Sequence, residues 1–385
     1  MIRNPFKYGK EVSGDQFYDR NDVFQTLYRR LSDGATNVVM YAPRRYGKTS
    51  LVKKVLAKFA SEGTKTIYFD LNKVESIEKF CEEYASAVCS VAGKAASLLD
   101  SVSTYLSHLH PTFGFGGDLP VSVRFDYGLK MTAQSVGSVL DLAEKVASRN
   151  ETGPLVVAFD EFQEIERLSP HLPLEGIFRS SIQAHQNVSY VFFGSKTHLL
   201  KRMFGDHSRP FYNSASVLQL DKPPVDESID FVRARFAARS IGIDDSVVRR
   251  LVDESENIPH YLQQLGYFTF ESVVAEGRDW VEPSDVEAAI EAIMSCGSDY
   301  FAERLSGFSP MQRQLISALA AEPVSEFVED YRRRHGLGVS ATVHAALRVI
   351  HEAGVVEREK GVYRVGDPFF ARYVRSSCVE LQADS

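Results

Sequence analysis

The sequence predicts an α/β protein with a parallel sheet, followed by an all-helical segment and a small C-terminal module of helices and a hairpin. Three observations carry that reading. Apolar strand patterns alternate with helical ones up to about Asp221, a Gly47-Lys48-Thr49 loop stands between the first strand and the next helix, and strand patterns cease beyond Lys222 until a last hairpin. Alternation of this kind implies right-handed crossovers, and continuous apolar runs imply strands covered on both faces.

Residues 1 to 20 are rich in turn formers and aromatics, and "RNDVFQTLYRRLSD" then places Val23, Leu27 and Leu31 at helical spacing, ending near Gly34. "NVVMYA" is long enough for a buried strand. It leads through the loop into "SLVKKVLAKFASEG", where Leu51, Val52, Val55, Leu56 and Phe59 form one helical face. A strand "KTIYFDLN" follows, then one long helix from about Ser76 to Leu99. "HPTFGFGGDLPVSVRFDYG" is rich in Gly and Pro and alternates at Val121, Val123 and Phe125, so a β-hairpin insertion is expected near 110–128. "SVGSVLDLAEKVASRN" is a helix, "PLVVAFDEFQEI" a strand running into acids, "GIFRSSIQAHQN" a helix, and "VSYVFFGS" and "SVLQLD" the last strands.

Beyond Lys222, "DESIDFVRARFAARSIG", "DDSVVRRLVDESE", "PHYLQQLGYFTFESVVAEG" and "EPSDVEAAIEAIMS" read as four helices. "FSPMQRQLISALAA", "SEFVEDYRRRHG" and "SATVHAALRVIHEAG" are three more, and "VVEREKGVYRVGD" is two strands around a Gly turn. Three helices and a hairpin fit a winged helix-turn-helix. The expected domains are a core over 1–221, a small helical bundle over 222–298, and the winged helix over 299–385.

The chain has 385 residues, which implies two or three domains, and a net charge of −7, which gives no global reason to bind nucleic acid or anionic membrane. The four cysteines lie far apart without a C-x-x-C pair, which argues against a zinc site or a disulfide framework. No N-terminal segment joins a basic start to an apolar core, and no run approaches the roughly 20 apolar residues of a membrane span. A soluble protein of the reducing cytoplasm is the expectation.

The loop "APRRYGKTS" departs from G-x-x-x-x-G-K-[ST] only at its first position, Ala42. Its backbone N–H groups and the helix N-terminus behind it form a cradle for phosphates. The cradle runs through Ala42, Pro43, Arg44, Arg45, Tyr46, Gly47, Lys48, Thr49 and Ser50. Gly47 lets phosphate lie against the backbone, Lys48 supplies a point charge, and the Thr49 hydroxyl can ligate Mg²⁺. A methyl group at position 42, where the turn begins, can be tolerated. The pair Asp160-Glu161 ends a buried strand, so Asp160 can hold Mg²⁺ through water and Glu161 can orient and deprotonate an attacking water. The plain alternative is two surface carboxylates at a strand end.

With these motifs placed, the chain resembles the archaeal-type ATPases of the AAA+/STAND group, relatives of archaeal replication initiators. The likeness spans nearly the whole length, from "NPFKYG…FYDR" through "PRRYGKTSL", "FDEFQ", "FRSSIQAHQNVSYVFFGS", "RPFY" and "IPHYLQQL" to "GVYRVGDPFFARYV". It implies a five-stranded parallel ATPase core, a helical lid, a winged helix, and ATP with Mg²⁺ as ligands. No N-K-x-D motif follows the core strands to read guanine. The resemblance puts Ser195 where a polar sensor watches the γ-phosphate. It puts Pro259 in the lid's G-x-P sensor, with Asn257 in place of the family's Gly. It places Tyr8, Val12 and Phe17 at the adenine pocket, with ordinary core packing as the alternative for each. Arg209, in "HSRPFY", stands where such ATPases carry an arginine finger, or else pairs with Asp206; Arg179 and Arg202 are weaker candidates.

A winged helix invites a DNA reading, its second helix entering the major groove. The exposed positions expected there, Ser340, Thr342, His344 and Arg348, supply little positive charge. Residues 299 to 385 carry 11 Lys and Arg against 12 Asp and Glu, a net of −1, although Arg332-Arg333-Arg334-His335 with Arg358, Lys360 and Arg364 could form a patch. Three functions stay open: a slow regulatory ATPase switch with a protein partner, a DNA-associated initiator-like ATPase, and a nucleotide-binding scaffold that hardly turns over. An oligomer is compatible with each.

Overall fold

The computed structural model describes residues 3–9, 20–32, 36–93, 96–116, 119–126, 128, 130–149 and 154–383. They fall into two compact units, Ser13–Asp221 and a second made of Met1–Val12 with Lys222–Ser385. Among the described residues no helix is long and apolar enough to cross a membrane.

The first unit is an α/β layer structure. Its helices and strands run in the order α1 (Asn21–Ser32), β1 (Val38–Tyr41), α2 (Lys48–Ser61), β2 (Lys65–Asp70), α3 (Ile77–Ala92), α4 (Ala96–Tyr105), β3 (Thr112–Phe115), β4 (Val121–Arg124), α5 (Ala133–Ala147), β5 (Leu155–Asp160), α6 (Ile165–Leu168), α7 (Leu174–Ala184), β6 (Val188–Phe193), α8 (Thr197–Gly205) and β7 (Ser216–Gln219). Five of the strands form one parallel sheet in the order β2-β5-β6-β1-β7. Strands β1, β5 and β6 are buried along their whole length, as their largely apolar runs require. Phe159 of β5 centres an aromatic layer on one sheet face, its ring against Phe69, Phe80, Tyr84, Phe178, Tyr190 and Phe192.

The expected insertion is an antiparallel hairpin of β3 and β4. Its backbone meets α3: the Val121 and Val123 N–H groups donate to the Ser90 and Ser86 hydroxyls at 3.1 and 2.8 Å. The single long helix expected from Ser76 to Leu99 is instead two. Gly93 caps α3 at φ 102°, ψ 177°, outside any helical region, so the chain breaks and restarts as α4. Helix α8 follows β6 where no helix was expected.

The second unit is helical. It comprises α9 (Val225–Ala237), β8 (Gly242–Ile243), α10 (Asp245–Glu254), α11 (Pro259–Ala275), β9 (Trp280–Val281), α12 (Pro283–Ser306), α13 (Pro310–Ala321), α14 (Glu329–Arg334), α15 (Ser340–Glu352), β10 (Val356–Glu359), β11 (Val362–Val365) and α16 (Pro368–Ala383). The boundary expected at 298/299 falls inside α12, which runs on to Ser306. Gly297 does not interrupt it: a Cβ there would lie 2.7 Å from the Phe301 ring. The glycine serves close packing within a continuous helix. Helix α16 is a further element that the three-helix reading of the tail omitted.

Residues 3–9 pack in this second unit, where the sequence placed them with the core. Phe6 is 1% exposed, its ring against Phe231 and Phe236, and it fits only because Gly266 of α11 has no side chain to meet it. Asn4 Nδ2 donates to the Tyr267 carbonyl and the Lys7 N–H to Gln263 Oε1, both at 3.1 Å.

Candidate nucleotide-binding site

The loop after β1 makes its cradle with two left-handed residues, Arg45 at φ 69° and Gly47 at φ 84°. Gly47 caps the N-terminus of α2 without a side-chain bond, so the first N–H groups of the helix stay directed at the loop. Ala42 is fully buried and is not among the positive-φ residues, so a methyl group there costs no backbone strain. Its carbonyl accepts from Lys48 Nζ at 2.9 Å and from Thr197 Oγ1 at 2.8 Å. Lys48 Nζ also donates to the Pro43 carbonyl at 2.7 Å, and the side chain is only 7% exposed. Arg44 and Arg45 are exposed, whereas Tyr46 and Ser50 are buried.

Strand β5 brings the acidic pair alongside. Thr49 Oγ1 donates to Asp160 Oδ2 at 3.0 Å, and the Tyr68 hydroxyl of β2 donates to the same oxygen at 2.6 Å. The Glu161 N–H donates to the other oxygen, Oδ1, at 2.8 Å. Burial pushes the Asp160 carboxyl above its ordinary value, and the bonds from Tyr68 and Thr49 hold it back.

Glu161 is left-handed, at φ 50°, ψ 44°, which turns the chain sharply out of the strand. Three donors converge on its Oε2: the Ser195 N–H at 3.0 Å, Ser195 Oγ at 2.9 Å and Gln163 Nε2 at 2.6 Å. No described donor reaches Oε1. Hydrogen bonds thus join Thr49, Asp160, Glu161 and Ser195 into one connected group, while the Lys48 ammonium is held by the carbonyls of the loop.

Other expected residues lie elsewhere. The Arg209 guanidinium pairs with Glu175, Nε to Oε2 at 3.1 Å, and with Glu166; Asp206, its expected partner, accepts instead from the Ser208 N–H and hydroxyl. Arg179 and Arg202 are exposed. Tyr8 lies in the helical unit, its ring 5.1 Å from that of Tyr267 and 5.6 Å from that of Phe268. Pro259 is the first residue of α11. Before it, Asn257 takes the left-handed conformation at φ 55°, which asparagine tolerates better than most residues. Its side chain is tied down by the Pro223 carbonyl at 2.7 Å and Ser228 Oγ at 2.6 Å. Val12 and Phe17 lie outside the described residues.

The sequence reading missed Tyr68 and Gln163. Tyr68 stands 92 positions from Asp160, and only the β2–β5 pairing brings them together. Gln163 was visible in "FDEFQ", but nothing in its spacing announces that the turn at Glu161 folds it back.

Residues 299–376 match the family described as "Probable winged helix domain". In structure, the chain is similar to the Walker-type ATPase of Pyrococcus abyssi, at 18% identity and a TM-score of 0.67, over 96% of this chain and 99% of that one. This is a P-loop ATPase fold ending in a winged helix. It is similar too to the ORC2 protein of Aeropyrum pernix in its ADPNP–ADP complexes (15% identity, TM-score 0.55, 95% of each chain). The ORC1 protein of the same organism, in complex with DNA, gives 15% identity and a TM-score of 0.51 over 96% of this chain and 95% of that one. No curated protein matches the sequence.

In the winged helix, the basic run of α14 is largely neutralised. Arg333 and Arg334 pair with Asp330, and Arg334 and His335 with Glu322. In the hairpin, Arg364 pairs with Glu256 and Glu359.

Proposed function

We propose that the chain binds ATP with Mg²⁺ at this loop and hydrolyses it as a slow conformational switch. The observation that carries the reading is the Glu161 carboxylate, which is held by three donors through one oxygen while no described donor meets the other, and which follows directly on the Asp160 that accepts from Thr49. A hydroxyl and a carboxylate are an all-oxygen donor set that suits Mg²⁺, which keeps waters and takes few protein ligands. When bound, the ion supplies charge neutralisation at the phosphates.

The chain's own residues supply the rest. Lys48 exchanges its two carbonyl partners for phosphate oxygens, and the loop N–H groups hold the chain of phosphates. Glu161 Oε1 takes the proton of the attacking water as its oxygen bonds to the γ-phosphorus. The bond from that phosphorus to the bridging oxygen breaks, and ADP leaves with the electron pair. Ser195 fixes Glu161 on the far side. We assign Arg209 no step, since its guanidinium is paired with Glu175 and Glu166.

We read the winged helix as a module that meets protein. Arg333, Arg334, His335 and Arg364 of its basic run are paired with acids, α15 carries Arg348 as its only Lys or Arg, and Val339 and Val349 are 68% and 40% exposed. DNA affinity needs unpaired cations to neutralise phosphates. Phosphate release from ATP by the full chain, with and without Mg²⁺ and with and without duplex DNA, tests both statements. Mg²⁺-dependent release unaffected by DNA is expected. No release in any arm removes the hydrolytic reading, and salt-sensitive stimulation by DNA removes the protein-facing one.

The raised Asp160 carboxyl gives a pH signature. The metal needs the ionised form, so Mg²⁺-dependent nucleotide binding is full above the raised value and is lost as the pH falls through it. Tyr68→Phe deletes a bond that lowers that value and so moves the midpoint to higher pH. Titration of a fluorescent ATP analogue at fixed Mg²⁺ across pH measures it, and an unmoved or lowered midpoint contradicts the role given to Tyr68.

A further inference from the structure

We propose that Gln163 is a positioning residue for Glu161, fixing which of its two carboxylate oxygens faces the attacking water. The inference rests on the reading of Glu161 as the base.

The geometry around Gln163 is built for one arrangement. The side chain is 3% exposed and lies just after the left-handed turn at Glu161, in the 3₁₀ segment Phe162–Glu164. Its amide nitrogen donates to Glu161 Oε2 at 2.6 Å and lies 3.4 Å from Glu164 Oε1. The two N–H bonds of one amide are thus directed at two carboxylates. Glu164 is itself anchored, by Lys196 at 2.8 Å and Arg167 at 3.1 Å, and Arg167 donates onward to the Val74 carbonyl at 2.9 Å. The amide therefore joins the flexible end of Glu161 to a fixed ion-pair network.

Two features show what this arrangement costs. Gln163 Oε1 is buried without a hydrogen-bond partner, a condition few native side chains tolerate. A Cβ at residue 194 would lie 2.2 Å from that oxygen and 3.1 Å from the Glu161 Cα, so glycine is required beside the pair. An apolar residue at 163 would avoid the orphaned oxygen. The structure keeps the amide because its N–H is a charge-assisted donor to Glu161, of the shorter and stronger kind. With Ser195 supplying the other two donors, Oε2 is fully engaged, and Oε1 is left for the proton.

The test uses the full chain. Gln163→Leu and Gln163→Met, the second close in length, both remove the donor. Each is expected to lower the single-turnover rate of γ-phosphate cleavage by about 10- to 100-fold, with MgATP affinity held within about twofold. Combining Gln163→Met with Ser195→Ala costs less than the product of the separate losses, because both hold the same oxygen. A normal single-turnover rate in both variants overturns the proposal. A rate and an MgATP affinity that fall together with a lowered unfolding temperature also overturn it, showing packing alone. Glu161→Gln is the control: a normal rate there sinks the reading of Glu161, whereas an inactive Glu161→Gln beside a normal Gln163→Met sinks only the positioning role.

Discussion

Replacing Glu161 with glutamine is expected to cut ATP turnover by about 10²- to 10⁴-fold and to leave ATP affinity nearly unchanged. The substitution keeps the shape. A glutamine carbonyl can still accept from the Ser195 N–H and hydroxyl, where Oε2 now sits. Its amide group then occupies the place of Oε1 and cannot take a proton. An interaction that matters only in the transition state lowers kcat and kcat/KM together, and this variant should do so.

Lys48→Ala fails differently. The ammonium acts on phosphate already in the ground state, so affinity for MgATP is expected to fall by about 10- to 100-fold. Measured side by side, binding by calorimetry and phosphate release by stopped assay separate the two roles. Undiminished turnover in Glu161→Gln contradicts its assignment as base, and undiminished binding in Lys48→Ala contradicts the loop as the phosphate site.

Much of this site was legible because it depends on local order. A strand, a loop with Gly47-Lys48-Thr49 and a helix are contiguous, and the Asp160-Glu161 pair ends an unbroken apolar run, so the letters alone place both halves. The departure at Ala42 brings no backbone strain, and the letters do not hold what the residue contributes: a backbone carbonyl shared by Lys48 and Thr197. The missed elements share a different cause. Gly93 and Gly297 look alike in sequence, yet one ends a helix at a positive φ and the other admits the Phe301 ring into a continuous one. The N-terminal residues join the helical unit through Phe6 and Gly266, 260 positions apart, which no local pattern encodes. The run Arg332-Arg333-Arg334-His335 reads as a basic patch until Glu322 and Asp330 are seen beside it.

The largest stability effect is expected one residue before the site. Phe159→Ala should destabilise the α/β unit by about 3–5 kcal/mol. The ring is fully buried and touches aromatic partners on both neighbouring strands, Phe69 of β2 and Tyr190 and Phe192 of β6, and on α3 and α7. Those partners are themselves pinned by backbone pairing, so the void cannot collapse, and an unrelieved cavity adds to the lost transfer energy. Far-UV circular dichroism in urea measures the loss. Trp280, the chain's single tryptophan, lies in the helical unit, so its emission follows that unit separately. A loss under about 1 kcal/mol would mean the layer relaxes around the gap, contrary to the close packing expected of such a core. The same substitution bears on function, because Asp160 and Glu161 are the next two residues of the chain. A carboxylate pair can meet Thr49 and Ser195 within hydrogen-bond distance only if the strand that carries it is held. Nucleotide binding in Phe159→Ala should therefore weaken even where the fold survives, with the aromatic layer acting as the rigid backing of the site.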